Sequence, residues 1–197
     1  MTEWELIEQL KLKNNGAFKI IVDTWQNLVY NTVLGFVQNE EDAEDVSQEV
    51  FIQVYESIKN FKGDSKFSTW IYRISVSKSL DHLRKKKRKK RFAFIESLFG
   101  KDDELINDPP DFLHPGVVLE NKENAAVLFK AISALPKNQN IAFILNKVEG
   151  LTYQQISEIM EVSDSAVDSL LQRAKTNLKK KLETHYHFNK KHNKDFY

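Results

Sequence analysis

Ser165, Ser169, Gln172 and Thr176 recur at intervals of four, three and four residues, which places three hydroxyls and a carboxamide along one face of a helix. Each of these groups both donates and accepts hydrogen bonds, and none is a catalyst by itself. Arg173, Lys175 and Lys179 stand beside them. A small polar helix face flanked by cations suits base edges and phosphates in a DNA major groove. The opposite face, Val167, Leu171, Ala174, Leu178 and Leu182, is an apolar stripe that fixes the helix to a core.

The element ahead of this helix carries the same kind of pattern. Tyr153, Ile156, Ile159 and Met160 recur at helical spacing behind Gly150 and Thr152, a stop and an N-cap. Glu161, Val162 and Ser163 form a three-residue break, with Ser163 as N-cap of the second helix. Two amphipathic helices joined by so short a turn predict a helix-turn-helix that reads duplex DNA. An ordinary antiparallel helix pair is the competing interpretation of this segment alone.

A second group with chemical potential is the acidic series Glu40, Glu41, Asp42, Glu44, Asp45 and Glu49. The span 40–59 reads as one helix whose apolar stripe is Ala43, Val46, Val50, Val54 and Ile58, reinforced by Phe51 and Tyr55. A carboxylate metal site in a helical bundle uses Glu-x-x-His pairs on facing helices, and no histidine accompanies these acids. Carboxylates in the first turn also favour the positive end of the helix dipole. Asp45, Gln48 and Glu49 lie beyond that turn and off the stripe, so they predict a protein-binding face for a basic partner.

A third group follows a loop at 60–66. A helix starting near Ser68 has Tyr72, Val76, Leu80 and Leu83 on one apolar face, with Ile71 and Ile74 flanking on the other side. Between them runs a mixed stripe of Trp70, Arg73, Ser77, Asp81 and Arg84, next to Phe61 and Phe67 and ahead of the run RKKKRKKR at 84–91. Unstacked bases need aromatic or apolar surfaces, and their phosphates need Lys and Arg, so this set predicts single-stranded DNA binding. The competing interpretation has Phe67 and Trp70 as core anchors.

The 197 residues contain 41% hydrophobic side chains, six glycines, four prolines and no cysteine. This composition predicts an all-α protein of two small helical domains, and it excludes a disulfide framework or a thiolate metal site. No apolar stretch is long enough to cross a bilayer, and the acidic amphipathic start MTEWELIEQLK is not a signal peptide, so no membrane insertion is expected and the cytoplasm is the expected compartment. No nucleophile, base and orienting group converge, and no glycine loop cradles a phosphate, so neither an enzyme nor a cofactor is expected.

The net charge of +1 hides strong segregation. Residues 1–83 hold eight basic and thirteen acidic side chains, 84–91 are all basic, 92–120 hold one basic and seven acidic, and the remainder holds twelve basic and eight acidic. Different segments are therefore expected to meet different partners. The acidic stretch includes Gly100, the run DPPD at 108–111 and Pro115-Gly116, which resists helix and predicts an extended linker. The expected layout is a helical domain at 1–91, a linker at 92–120, a helix-turn-helix domain at 121–184 and a disordered tail at 185–197. Three of five histidines fall in that tail, where a frayed solvated segment is expected rather than a metal site.

Together, DAEDVSQEVFIQVYESIKNFKGDSKFSTWIYRISVSKSLDHLRKKKR and ALPKNQNIAFILNKVEGLTYQQISEIMEVSDSAVDSLLQRAKTNLKKKL resemble a bacterial RNA polymerase sigma factor of the extracytoplasmic-function type, in the sigma-70 family. The likeness spans about residues 14–88 and 121–183, with both signatures in order. It implies domains conventionally numbered two and four. Asp45, Gln48 and Glu49 would contact the beta-prime clamp helices of core RNA polymerase. Phe61, Lys62, Phe67, Trp70, Arg73, Ser77, Arg84, Lys85 and Lys86 would recognise the minus-ten element and hold its melted strand. The linker would thread toward the active-site and RNA-exit channel. The second domain would dock on the beta flap and place Ser163, Ser165, Ser169, Gln172, Arg173 and Lys175 at the minus-thirty-five duplex. An anti-sigma factor is a further partner such a protein can have. The alternative is a free-standing helix-turn-helix regulator that binds an operator without polymerase.

Three positions, in two helices, depart from the family pattern. Asp168 and Leu170 stand where many relatives carry Lys and Arg, which shifts phosphate anchoring toward Arg173, Lys175 and 179–181. Ser77 replaces a frequent Asn in the minus-ten helix, with the same donor and acceptor capacity on a shorter arm.

Overall fold

The computed structural model describes the backbone of residues 1–99 and 122–192, and side chains over 1–91 and 127–183. Every regular element among the described residues is helical. The chain divides into two units, 1–110 and 111–197, with the division inside the segment expected to be a linker.

In the first unit, α1 (Glu3–Lys11) opens with a capping box. The Thr2 hydroxyl accepts from the Glu5 amide at 3.2 Å, and the Thr2 amide donates to Glu5 Oε2 at 2.8 Å. The latter bond favours the ionised carboxyl and lowers the Glu5 pKa below the usual carboxylate value. Asn14 caps α2 (Asn15–Val37) by accepting from the Gly16 and Ala17 amides. Gln38, left-handed at φ 56°, ends α2, and Asn39 caps α3 (Glu40–Ser57) through the Asp42 amide at 2.8 Å. A 3₁₀ turn, Ile58–Asn60, closes α3 and leads into the 61–66 loop. α4 (Phe67–Phe99) follows.

Helices α2, α3 and α4 pack pairwise into a bundle, with α1 against α2 and the 3₁₀ turn. The expected stripe of α3 is the buried one: Ala43, Val46, Val50, Val54 and Ile58 are all at or near zero exposure. The face of α4 differs from the expectation. Its most buried positions are Phe67, Ile71, Ser75 and Ser79, while Tyr72, Ile74, Leu80 and Leu83 are half-buried. The two serines tolerate burial because each hydroxyl bonds back to the helix, Ser75 to the Ile71 carbonyl at 2.9 Å and Ser79 to the Ser75 carbonyl at 2.8 Å. Their small volume lets α4 approach its neighbours closely.

Helix α4 also runs eight residues beyond the expected boundary at Arg91, because no glycine or proline interrupts the chain between Lys66 and Phe99. The first part of the segment 92–120 is therefore helical, and the rest of that expected linker lies outside the described residues.

In the second unit, α5 (Lys122–Ser133), α6 (Lys137–Phe143), α7 (Tyr153–Met160) and α8 (Asp164–His192) surround a core of Phe129, Ile132, Ile144, Leu145, Ile156, Val167, Leu171 and Ala174. Buried Asn140 donates to the Ile132 carbonyl at 2.9 Å, tying α6 to α5. A π turn, Ile144–Val148, and Gly150 at φ 70° redirect the chain into α7. Helix α8 continues to His192, so the expected disordered tail is helical over 185–192, where nothing breaks the helix. Residues 193–197, and the side chains of the three histidines, lie outside the described residues.

Candidate functional site

The helix-turn-helix forms as its sequence demands. Thr152 and Gln155 make a reciprocal capping box at the start of α7. Glu161 ends α7 in the left-handed region at φ 56°, and the Val162 amide bonds the Ser157 carbonyl at 3.1 Å. Ser163 Oγ then accepts from the Ala166 amide at 3.3 Å and lies 3.0 Å from Ser165 Oγ. Val167, Leu171, Ala174 and Leu178 are buried, which turns Ser163, Ser165, Ser169, Gln172, Arg173 and Lys175 to solvent together. Asp168 shares that exposed face and Leu170 is half-buried. Tyr153, expected in the apolar stripe of α7, is 38% exposed instead, since as first residue of the helix it projects past the end of the core.

In the first unit Trp25, Phe61, Phe67 and Trp70 form one aromatic cluster. Phe67 packs edge-on to Trp25 at 5.1 Å between centroids and to Phe61 at 5.3 Å, and it stacks with Trp70 at 5.6 Å. Phe61 and Phe67 are buried, at 5% and 0% exposure, and Trp70 is half-buried. The expectation that Phe61 and Phe67 offer ring faces to bases is thereby corrected. Their faces are taken up by each other, Trp25 and Trp70, because at the start of α4 and the end of the 3₁₀ turn they point into the bundle. Trp25, half-buried, joins the cluster from α2, where its spacing from the buried Ile21 and Val29 is the signal in the sequence that it faces the bundle.

Along α4 the mixed stripe is present. Arg73 and Asp81 are half-buried, and Ser77 and Arg84 are exposed. Lys62 in the loop and Lys85 are also exposed. Arg84 pairs with Asp81 one turn back. Lys86, expected at the minus-ten element, pairs with Asp42 at the start of α3, and His82 Nε2 lies 3.2 Å from the same carboxylate.

The acidic face of α3 is continuous. Asp45, Gln48 and Glu49 are exposed, with Glu49 4.0 Å from Lys78 of α4. Burial, then the carboxylates of Glu40 and Glu44, raise the pKa of Tyr30 above that of a free phenol, a sign of the negative field at this end of the bundle. Ile52, 56% exposed, lies on the same side, one turn beyond Gln48 and Glu49. Among the described residues, no three metal-ligating side chains cluster and no helix is long and apolar enough to cross a membrane.

Comparison with known proteins matches the two units separately. Residues 21–89 match the family described as Sigma-70 region 2, and 126–178 match Sigma-70, region 4. The RNA polymerase sigma-H factor of Pseudomonas aeruginosa is 29% identical over 91% of this chain and 93% of its own length. The ECF RNA polymerase sigma-E factor of Escherichia coli K12 is 28% identical over 93% and 95%. Among solved structures, CnrH in complex with the cytosolic domain of CnrY is 20% identical with a TM-score of 0.61, covering 91% of this chain and 96% of that one. The sigma factor RpoE in complex with the anti-sigma factor NepR from Bartonella quintana is 19% identical with a TM-score of 0.58, covering 84% and 96%. With its two matched regions in order and together spanning more than half of its length, the chain belongs to the sigma-70 family of RNA polymerase sigma factors, as a member of the extracytoplasmic-function type.

Proposed function

We infer that this chain binds core RNA polymerase and directs promoter-specific initiation, recognising a minus-thirty-five duplex with its second unit and a melted minus-ten strand with its first. One observation carries this reading. The exposed acidic face of α3, the mixed stripe of α4 and the solvent-facing side of α8 are three separate surfaces, each of a different chemistry, in one chain with both sigma regions.

At residue level, Asp45, Gln48 and Glu49 bind the beta-prime clamp helices. Trp70, Arg73 and Ser77 face the melted strand, with Lys62, Arg84 and Lys85 on its phosphates. Phe61 and Phe67 act from beneath by holding Trp70 in place. Ser165, Ser169 and Gln172 read base edges, and Arg173 and Lys175 hold phosphates, while Ser163 caps the recognition helix. The second unit docks on the beta flap. The protein works by binding rather than by catalysis, in the cytoplasm, and the complex of its structural relative RpoE with the anti-sigma factor NepR supports an anti-sigma factor as a further partner.

Run-off transcription with core polymerase and a library of genomic fragments tests the reading. Specific start sites that appear only when the chain is added support it. DNA binding without any affinity for core polymerase would instead identify a free-standing regulator.

A further inference from the structure

Helix α1 precedes the segment matched to sigma-70 region 2, yet it meets the 61–66 loop at Gly63 and packs on the 3₁₀ turn that leads into it. At the root of the loop, α1 packs on the 3₁₀ turn Ile58–Asn60, and Lys13 just after α1 donates to the Tyr55 carbonyl with its ammonium 3.9 Å from the Tyr55 ring centre. At its middle, the benzo edge of Trp4 lies over Gly63. A Cβ on Gly63 would stand 3.2 Å from Trp4 Cζ3 and 3.6 Å from Cη2, and Gly63 holds φ at 85°. The loop backbone needs glycine there, and a Cβ would in addition crowd Trp4. Trp4 is itself 54% exposed, so core burial alone does not account for a side chain of this size at that position.

The loop's two ends are held from the bundle side by Phe61 and Phe67. Lys62, Gly63, Asp64 and Lys66 between them are exposed, and the contact of Trp4 with Gly63 braces this stretch from the α1 side. We propose that Trp4 is a positioning residue for minus-ten recognition: it sets the path of residues 62–66, and so determines which unstacked base the loop accepts. The inference rests on the assignment of this loop to the melted strand made above. A shift of the loop backbone moves donors and acceptors relative to a base, and geometry of that kind decides discrimination.

The test uses holoenzyme assembled from the full chain and core polymerase, presented with a promoter duplex whose non-template strand is randomised and unpaired across the minus-ten segment. Bound templates are sequenced. Trp4→Phe keeps an aromatic ring on α1 but withdraws the benzo edge from Gly63, and Trp4→Ala removes the ring. Both are expected to change base preference by about tenfold at one or two adjacent positions, with affinity for core polymerase and thermal stability retained. Gly63→Ala is expected to alter the same positions, and to do so still when Trp4 is already Ala, because the demand of φ 85° for glycine remains. An unchanged base ranking in both Trp4 variants, where the wild type shows a preference, overturns the inference and leaves the loop assignment standing. A uniform loss across all sequences, tracking a fall in stability, also overturns it. If the wild type shows no base preference in the melted segment, the loop assignment fails and the inference falls with it.

Discussion

Lys86, in the third position of the basic run, is ion-paired with Asp42, forty-four residues earlier in the first turn of α3. The pair ties the far half of α4 to the acidic helix, and His82 approaches the same carboxylate from one turn back along α4. The basic run is therefore not a uniform row of phosphate contacts. Lys86 must give up Asp42 before it can serve a phosphate, whereas Lys85 and Lys87, both exposed, point elsewhere around the helix.

This relationship predicts the effect of Asp42→Asn. Its partners are part-exposed, so the loss of stability should be no more than about 1 kcal/mol. Release of Lys86 should strengthen binding to DNA of any sequence and steepen its salt dependence by about one unit of slope. Correspondingly, Lys86→Ala should weaken DNA binding less than Lys85→Ala. Titration of binding against salt for the three variants decides this, and equal losses for Lys85→Ala and Lys86→Ala would remove the ion pair from the account.

The acidic face of α3 yields a second prediction. Asp45→Lys and Glu49→Lys lie off the buried stripe, so helix content and thermal unfolding should be preserved while affinity for core polymerase falls. Glu49 is held only loosely by Lys78 at 4.0 Å, which leaves its carboxylate available to a basic partner. Affinity for core polymerase measured by titration should drop most in the double variant. Unchanged affinity would move the interface off this face.

Phe67 and Arg73, which the sequence grouped together, should separate. Phe67→Ala removes a fully buried ring from the aromatic cluster and should cost about 3–5 kcal/mol of stability, weakening every activity in proportion. Arg73→Ala should leave duplex binding in place and reduce open-complex formation, with a pre-melted bubble template partly restoring it. Equal defects of Arg73→Ala on duplex and bubble would assign Arg73 to the fold instead.

What could be read from the sequence follows from where polar and apolar residues alternate cleanly. The helix-turn-helix is legible in the sequence from the Thr152 cap through the turn to the Ser163 cap, save that Tyr153 leaves the apolar stripe, because each cap there has a single local solution. The bundle face of α4 was not, because Ser75 and Ser79 satisfy their own hydroxyls and so occupy core positions that a hydropathy pattern assigns to solvent. Phe61 and Phe67 read as binding residues in the sequence because an aromatic ring serves a base and a core equally well. Only the position of Trp25, brought in by α2, shows which use applies. Trp4 and Gly63 are fifty-nine positions apart, and no local pattern links them.

The last prediction distinguishes two kinds of DNA contact. Ser169 and Gln172 face solvent at the middle of the exposed side of α8, so replacing either should change which upstream sequences are used, because base-edge contacts carry sequence information. Neutralising Lys85, Lys87, Lys89 and Lys90 should act differently. All four are exposed and suited to phosphates, so affinity should fall to a similar degree on unrelated promoters, and the salt slope should become shallower by about 0.9 for each duplex phosphate that is no longer neutralised. The Asp168 carboxylate beside Ser169 adds a further expectation: Asp168→Asn should strengthen upstream duplex binding at low salt without altering promoter ranking, since it removes a repulsion toward the backbone and no base contact. Affinity measured against salt on two unrelated promoters tests all three. A change of promoter ranking on neutralising the basic run would mean that α4 reads sequence there, and an unchanged ranking after both Ser169→Ala and Gln172→Ala would mean that base reading by α8 lies elsewhere on its exposed face.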